Sequence, residues 1–473
     1  MRFAIVNLPN KDRLTRRYMC SYISPISLFP PLELLSATAV IKNEGVSAVY
    51  FADAVAEQWK IETLCKQLED FVPDYILTLT GFECFEEDTQ HIATIKQALP
   101  QSQLLVFGHY PTIFTEEVLQ KSAADFVIQG EPEYILIDFI NALKNHQDLC
   151  AIPGLFTKQY KAKPPVARIQ NITKLPQPAY EHMNTGRYFE PFMPRPFAMI
   201  QSARGCPYKC NYCVKSYGSR LTLRSAEQVI EELQMLKDLH GIRSFRFIDD
   251  TFTINKKRVI DICKLMVEKK LNLQWTCLSR TDNINPEILS AMKQAGCQRI
   301  YFGLESGSRR MLDFYEKNVD VKEALLALKQ TRKAGIETTG FFMLGMPQET
   351  EQDFKETLQF ALDADLSLAS IGGITLYPGT PLFDANKDLI EFSLFPYVNH
   401  FKDIAIEERY LQWEKTFYNA FFRRPSYLWQ LAKTYGSKPV PVYETLKDAL
   451  TYRLQHYDFM PGIKRQHQVV LKH

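Results

Sequence analysis

Hydrophobic and polar positions in the first third of the chain form short apolar runs that alternate with stretches of helical period. The candidate strands are Phe3 to Leu8, Ala48 to Phe51, Tyr75 to Thr80, Leu104 to Phe107 and Phe126 to Ile128. The candidate helices are Leu32 to Lys42, Ile61 to Phe71, His91 to Ala98 and Glu116 to Ser122. This alternation is typical of a parallel sheet covered on both faces. Residues 1–146 are therefore predicted to form a doubly wound α/β domain with ligands at the carboxyl ends of its strands.

A second alternating series begins after a proline-rich stretch at 147–196, which is predicted to connect two domains because proline fixes the backbone and removes donors. The six candidate strands are Phe197 to Gln201, Ser244 to Ile248, Gln274 to Leu278, Arg299 to Leu304, Thr339 to Leu344 and Ser370 to Leu376. The helices between them are Ser225 to His240, Lys257 to Lys269, Pro286 to Gln294, Val321 to Ala334 and Glu351 to Asp363. Residues 197–385 are thus predicted to form an incomplete (β/α)6 barrel with its active site at the strands' carboxyl ends.

The remaining residues, 386–473, are rich in aromatic side chains and are predicted to be helical. Aromatics at mixed helical spacings are more often core than cofactor contacts. The aromatic residues of this part include Tyr410, Trp413, Phe417, Tyr418, Phe421, Phe422, Tyr427 and Trp429. Arg423 and Arg424 lie among them, and a contact with an anionic surface stays open at this point.

Composition limits the classes of function. The 473 residues are 46% hydrophobic and 23% charged, as in soluble globular proteins, and suggest two or three domains. A net charge of +2 gives no field for gathering nucleic acid, so a small-molecule, lipid or peptide substrate is expected. No apolar run reaches the roughly 20 residues of a membrane span, and no signal peptide is evident, which predicts a cytoplasmic location. Ten cysteines in that compartment indicate reduced thiols and metal ligation.

Three cysteines stand close together after the first strand of the second series. Cys206, Cys210 and Cys213 have three and then two residues between them. Thiolates at this spacing can hold three irons of a 4Fe-4S cluster and leave the fourth iron open. A structural zinc would need four closed ligands, and the next candidates, His240 and Cys263, are far along the chain. A group of buried, unreactive thiols is a further alternative.

The cysteine motif, set between a strand and a helix in a six-stranded series, resembles the radical S-adenosylmethionine (SAM) superfamily. Tyr212 stands at the aromatic position before the last cysteine, Gly340 to Glu349 resembles the family's adenine-side strand and turn, and Tyr377 to Pro381 resembles its sixth-strand ending. The resemblance implies SAM contacts from Tyr212, Asp249, Asp250, Arg280, Glu305, Ser306 and Gly345.

The second strand departs from the family pattern, because its frequent Gly-Gly-Glu segment is replaced by Phe247 to Phe252. Asp249 and Asp250 are candidates for the contact to the methionyl amine. Asp250 as the N-cap of the next helix is an equal alternative. The acidic and basic groups at the barrel ends also have the alternative of pairing with one another.

The first domain resembles the Rossmann-like cobalamin-binding domain of cobalamin-dependent radical SAM enzymes. The strand ends that carry the resemblance are Gly108 to Thr112 and Gly130 to Glu133. The implied cobalamin contacts are Thr80, Gly81, Gly108, His109, Tyr110, Pro111, Gly130 and Glu131. Any single glycine here also has a plainer interpretation as a turn residue. Asn7 to Asn10 stands where many cobalamin proteins carry Asp-x-His-x-x-Gly, so cobalamin without its usual lower histidine is expected.

The resemblance implies that a 4Fe-4S cluster and SAM generate a 5′-deoxyadenosyl radical, with an external one-electron reductant such as flavodoxin or ferredoxin. A cobalamin-dependent methyltransferase acting on an unactivated carbon or a phosphorus centre is the leading hypothesis. A cobalamin-dependent cyclase or ring-rearranging enzyme is the alternative, and a non-catalytic cobalamin sensor or carrier is the alternative from another class. Because no cysteine follows Cys297, one cluster per chain is predicted.

Overall fold

A computed structural model of the chain describes residues 1–18, 21–24, 26–158, 171–215, 217–394, 397–427, 429, 434, 436 and 442–448. Its first sheet and the hairpin beside it contain strands β1 (Arg2–Asn7), β2 (Leu14–Arg16), β3 (Ser21–Ile23), β4 (Ala48–Asp53), β5 (Tyr75–Leu79), β6 (Gln103–Phe107), β7 (Phe126–Ile128) and β8 (Leu155–Thr157). The helices are α1 (Leu32–Asn43), α2 (Ile61–Phe71), α3 (Phe85–Ala98), α4 (His109–Ile113), α5 (Thr115–Lys121) and α6 (Pro132–Lys144).

The first sheet has the order β4-β1-β5-β6-β7-β8, parallel except for β8, while β2 and β3 pair as a separate hairpin. Alternate residues of β1 enter two cores: Phe3 and Ile5 pack on one face, and Ala4 and Val6 on the other. The strand order reverses between β1 and β5, which places the topological switch point at their carboxyl ends. The doubly wound prediction is confirmed.

The second sheet is built from β9 (Phe197–Ile200), β12 (Ser244–Phe247), β13 (Gln274–Ser279), β14 (Cys297–Glu305), β15 (Glu337–Leu344) and β16 (Leu368–Gly373). The short strands β10 (Ala203–Arg204) and β11 (Thr222–Leu223) flank the cysteine loop. The helices are α7 (Ala226–His240), α8 (Lys256–Glu268), α9 (Pro286–Gln294), α10 (Arg309–Phe314), α11 (Val321–Lys333) and α12 (Glu351–Asp363).

All neighbouring strands of this sheet are parallel, in the order β16-β15-β14-β13-β12-β9. The carboxyl ends of its strands therefore lie along one edge, as predicted for an incomplete barrel. Local signals explain the helix limits: α7 begins at a capping box formed by Ser225 and Gln228 and ends at the left-handed Gly241.

The last part contains α13 (Pro381–Asn386), β17 (Ile390–Leu394), β18 (Tyr397–Phe401) and α14 (Ile404–Phe422). The hairpin of β17 and β18 is absent from the sequence prediction, which made this part helical; the structure instead pairs the two strands antiparallel, from Ile390 opposite Phe401 to Leu394 opposite Tyr397. On α14, Trp413, Phe417 and Phe421 are buried in the barrel core, and Trp413 stacks on Phe354 at 5.1 Å. The core interpretation is therefore confirmed for these three aromatics, but not for Trp429, which is 66% exposed.

One boundary differs from the sequence prediction. Strand β8 adds residues 155–157 to the first sheet, so that sheet continues beyond 146.

The two arginines of the C-terminal part have different environments. Arg424 donates to the carbonyl of Leu366 and lies over the Phe421 ring at 4.2 Å, whereas Arg423 is exposed. Part of the proline-rich connection (159–170) and of the C-terminal part (449–473) lies outside the described residues. Among those described, no helix is both long and apolar enough to cross a bilayer.

Candidate active site

The cysteine loop leaves the carboxyl end of β9 and is fixed there by backbone hydrogen bonds. The amides of Ser202 and Ala203 donate to Asp249 Oδ1 at 2.6 and 2.9 Å, which joins the start of the loop to the end of β12. Within the loop, Cys206 N–H donates to the carbonyl of Gly218 at 3.1 Å. These bonds hold the three thiols at the edge where the barrel strands end.

The thiols lie in one electrostatic environment. Burial, together with the negative charges of Asp250, Cys206 and Cys210, raises the pKa of the Cys213 thiol to about 12. A cation lies beside the loop, since Arg280 Nη1 is 3.7 Å from Cys210 Sγ. In the described ranges, no three His, Cys, Asp or Glu side chains converge at metal-binding distances. Three soft donors beside a cation fit a cluster with one open iron better than a closed zinc site.

Asp249 and Asp250 have different environments. Asp249 is 1% exposed and accepts the Ser202 and Ala203 amides, so it holds the loop in place. Asp250 Oδ1 is buried without a hydrogen-bond partner among the described residues, and burial raises the pKa of this carboxyl to about 6. The N-cap interpretation of Asp250 is wrong, because Asn255 caps α8 by accepting the Arg258 amide at 3.0 Å. Asp250 is thus the carboxylate available to a ligand amine.

A polar network closes the other side of the cysteine loop. Tyr212 OH donates to Glu305 Oε1 at 2.9 Å, and Lys317 Nζ lies 2.8 Å from the same oxygen. Glu305 follows a bulge in β14 and has a φ of 61°. The predicted residues Tyr212 and Glu305 are therefore brought together. Lys317 was missed by the sequence analysis, because no local pattern links a lysine after α10 to a strand end.

The other predicted SAM residues are placed less directly. Ser306 is 1% exposed, and its hydroxyl lies 2.8 Å from that of Thr357 on α12, so it fixes the strand end. Arg280 pairs with Asp282 at 2.9 Å, and its guanidinium lies 3.8 Å from the centre of the Tyr208 ring. The sequence left open whether charged groups at the barrel ends pair with one another. Such pairs are observed: Glu305 pairs with Lys317, and Arg280 pairs with Asp282.

Gly345 ends β15 in a conformation with φ 101°, and its amide donates to Glu349 Oε2 at 2.7 Å. Burial raises the pKa of the Glu349 carboxyl to about 7. Its second oxygen, Oε1, is buried without a hydrogen-bond partner in the described structure. The turn at the adenine-side position of the resemblance is therefore held by a buried carboxyl group.

A cavity of about 350 Å³ separates the cysteine loop from the first sheet. Cys210 and Cys213 line one side, and His109 and Thr112 line the other. Further lining residues are Tyr18, Ile113, Lys209, Val214, Lys215, Pro378, Gly379 and Pro381. The two candidate cofactor regions thus face one space.

Most predicted cobalamin contacts have structural roles beside this cavity. Thr80 donates to buried Asp88 at 2.7 Å, and Gly81 lies against Ser21. Tyr110 stacks on Phe85 at 4.1 Å. Pro111 is buried in α4.

Gly108, and Gly130 and Glu131 at the next strand end, also have structural roles. Gly108 has a φ of 134°, and a Cβ there would lie 2.0 Å from the Thr80 carbonyl oxygen, so the turn interpretation holds for it. Gly130 N–H donates to Thr112 Oγ1 at 3.0 Å, and Glu131 pairs with Arg204 at 2.9 Å. Of the eight predicted contacts, only His109 lines the cavity.

The radical SAM family model matches residues 200–361, from the start of the cysteine loop to α12. The uncharacterized methyltransferase PH0819 of Pyrococcus horikoshii is 33% identical over 362 residues, which cover 75% of this chain and 78% of that protein. The chain belongs to the radical SAM superfamily. For this radical SAM protein, a 4Fe-4S cluster and SAM are the implied cofactors, and the family predicted from the cysteine motif is confirmed.

Three further proteins match this chain at lower sequence identity. The anaerobic magnesium-protoporphyrin IX monomethyl ester cyclase of Cereibacter sphaeroides is 26% identical over 381 residues, covering 77% of this chain and 61% of the cyclase. The structure of OxsB with aqua-cobalamin and SAM superposes with a TM-score of 0.74 at 17% identity, covering 99% of this chain and 74% of OxsB. TsrM from Kitasatospora setae, with cobalamin and a [4Fe-4S] cluster, gives 0.68 at 17% identity, with coverages of 82% and 78%. The two-domain fold is therefore shared with OxsB and TsrM.

Proposed function

We propose that the chain is a cobalamin-dependent radical SAM methyltransferase acting on an unactivated carbon or phosphorus centre of a small molecule, lipid or peptide. The observation that carries this proposal is the cavity of about 350 Å³, lined by Cys210 and Cys213 on one side and by His109 and Thr112 on the other. Two cofactors that face one space suit transfer of a group from one to a radical formed beside the other.

Different residues would hold different parts of the cofactors. Cys206, Cys210 and Cys213 would hold a 4Fe-4S cluster and leave one iron available to SAM. When bound, the cluster supplies one electron to the SAM sulfonium and cobalamin supplies a methyl group. Asp250 would accept a hydrogen bond from the methionyl amine, since its buried Oδ1 has no other partner in the described structure. The Tyr212 ring, held by the bond of its hydroxyl to Glu305, would contact the adenine of SAM.

Relatives support the proposal. PH0819, 33% identical, is named a methyltransferase, and the OxsB and TsrM structures contain cobalamin in the fold that this chain shares. The position of His109 argues against a histidine ligand to cobalt from below. His109 is 8% exposed and its ring lies 5.6 Å from that of Phe82, so we assign it to the cavity wall and not to cobalt from below.

A radical cyclase is the second candidate, favoured by the 26% identity to the magnesium-protoporphyrin ester cyclase over 381 residues. Both functions begin with reductive cleavage of SAM, with flavodoxin or ferredoxin as the proposed electron donor. They differ in the products formed from SAM. Methyl transfer releases S-adenosylhomocysteine in addition to 5′-deoxyadenosine, whereas cyclisation without methyl transfer releases 5′-deoxyadenosine alone.

The test is anaerobic incubation of reconstituted protein with SAM, hydroxocobalamin and titanium(III) citrate, followed by quantification of both nucleoside products. The methyltransferase proposal predicts both products from wild type and neither from the Cys206→Ala, Cys210→Ala, Cys213→Ala triple variant. Release of 5′-deoxyadenosine alone would favour the cyclase. A protein that binds hydroxocobalamin but forms neither product would be a carrier or sensor.

A further inference from the structure

A buried ionic bridge joins the cysteine loop to the first domain. Arg204, two residues before Cys206, directs its guanidinium at two carboxylates at the start of α6. Its Nη1 lies 2.9 Å from Glu131 Oε2, and its Nη2 lies 2.5 Å from Glu133 Oε1. The three side chains are 6%, 5% and 1% exposed, so solvent screens these pairs very little.

The bridge continues beyond the last cysteine. The Arg204 guanidinium lies 4.9 Å from the centre of the Tyr217 ring, and Tyr217 OH donates to Glu33 Oε1 at 3.4 Å. Glu33, near the start of α1, also pairs with Arg17 at 2.8 Å. Residues on both sides of the cysteine loop are thus tied to helices of the first domain.

A second contact between the domains lies across the cavity. Tyr377, after β16, donates its hydroxyl to Glu83 Oε1 at 2.5 Å. A Cβ on Gly379 would lie 3.3 Å from Ile113, so backbone and side chain are already close there. Ile113 and Gly379 also line the cavity, so the contact between them forms part of the cavity wall. The Arg204 bridge fixes the cysteine loop, which forms the opposite wall of the cavity.

Stability alone is a poor explanation for the bridge. Burying an arginine and two carboxylates costs desolvation energy that well-packed apolar residues would avoid. A guanidinium fork instead fixes direction, because each N–H must point at its acceptor. The bridge therefore sets the orientation of the cysteine loop relative to the segment from Gly130 to Glu133.

We propose that Arg204 is a positioning residue that fixes the distance between SAM at the cysteine loop and cobalamin at the first domain. This inference rests on the proposed function. It assigns to Arg204 no contact with either cofactor: removal of the bridge leaves cluster binding and reductive SAM cleavage largely intact and slows methyl transfer between the two sites. A displacement of about 1 Å between reacting groups can cost about 100-fold in rate.

The experiment uses full-length Arg204→Gln, Arg204→Lys and Glu133→Gln proteins with SAM, hydroxocobalamin and titanium(III) citrate. S-adenosylhomocysteine reports cleavage of the S–CH3 bond, in which the bond's electron pair stays on sulfur and the methyl group joins the electron pair of cob(I)alamin. 5′-Deoxyadenosine reports cleavage of the S–C5′ bond by one electron, followed by hydrogen-atom uptake. The matched control is Arg309→Gln, an arginine whose pair with Asp313 is 56% exposed on both sides.

For Arg204→Gln, we expect iron content as in wild type, 5′-deoxyadenosine release within about threefold, and about 100-fold less S-adenosylhomocysteine. Arg204→Lys recovers part of the loss, because an ammonium is a point charge without the guanidinium fork. Hydrogen–deuterium exchange becomes faster together in the cysteine loop and at the start of α6, both in Arg204→Gln and in Glu133→Gln. Arg309→Gln behaves as wild type in every assay.

The inference is overturned if Arg204→Gln loses iron and both products in parallel, or if the product ratio and the exchange rates are unchanged. If Arg204→Gln does not fold, Glu133→Gln decides by the same measurements. If wild type releases no S-adenosylhomocysteine, the proposed function fails, and hydrogen–deuterium exchange alone then tests the bridge.

Discussion

Two neighbouring aspartates at the end of β12 have different roles, although their sequence context gave them equal standing. Asp249 accepts hydrogen bonds from the Ser202 and Ala203 amides, whereas Asp250 has a buried oxygen without a partner in the described structure. The sequence placed both at the strand end but could not distribute these contacts, because the amides belong to Ser202 and to the first residue of β10, 47 and 46 residues away.

Substitution separates the two aspartates. Asp250→Asn should weaken SAM binding to the reconstituted protein by about tenfold or more, since the methionyl amine loses a charged acceptor, while iron content and stability stay near wild type. Asp249→Ala should instead lower the free energy of unfolding by about 2 kcal/mol or more, because two buried amides lose their acceptor. Isothermal titration with SAM and thermal unfolding measure the two effects. Equal SAM affinity of Asp250→Asn and wild type would exclude the assigned role.

The buried carboxyl of Glu349 predicts a pH dependence. Burial raises its pKa from an ordinary 4.5 to about 7, so between these values the folded chain binds more protons than the unfolded chain. Stability from this group therefore falls as pH rises from about 4.5 to 7, by on the order of 3 kcal/mol at most. The melting temperature of Glu349→Gln relative to wild type should rise between pH 5 and pH 8. Exposed Glu287→Gln is the control, and a parallel pH response of both variants would contradict the assignment.

At the scale of elements, the strands of both sheets follow from short apolar runs, and their carboxyl ends gather the cysteines, Asp250 and Glu305 as predicted. Contacts between residues far apart in the sequence were harder to predict. The β17–β18 hairpin and the addition of β8 to the first sheet were missed, because short strands gain their stability from partners that local pattern does not reveal. Lys317 and Arg204 were missed for the same reason, since each finds its carboxylate on another element.

The strand ends of the first sheet tolerate little change. Gly108→Ala places a Cβ against the Thr80 carbonyl in a left-handed backbone and should cost about 2–4 kcal/mol. Gly372→Ala on β16 is the matched control, because its Cβ would meet nothing within 4 Å, and it should lie within about 0.5 kcal/mol of wild type. Chemical denaturation measures both variants. Equal stability of the two would show that the β5–β6 edge relaxes around a side chain.

For the whole molecule, the arrangement of cysteines predicts one cluster. Cys263, Cys277 and Cys297 are buried in the barrel core, and Cys65 and Cys84 are buried in the first domain. Anaerobically reconstituted protein should bind about four irons per chain. The triple alanine variant of Cys206, Cys210 and Cys213 should bind almost none, while the matched triple variant of Cys263, Cys277 and Cys297 should keep them. About eight irons per chain would contradict the prediction.

The two domains bring the cysteine loop and the first sheet to one cavity, and the proposed function requires an open iron at that cavity. The most direct test is electron paramagnetic resonance of the dithionite-reduced, reconstituted protein before and after addition of SAM. Binding of SAM to the open iron should change the spectrum of the reduced cluster, and 5′-deoxyadenosine should form in the same sample. An unchanged spectrum without 5′-deoxyadenosine, at full iron content, would contradict the account.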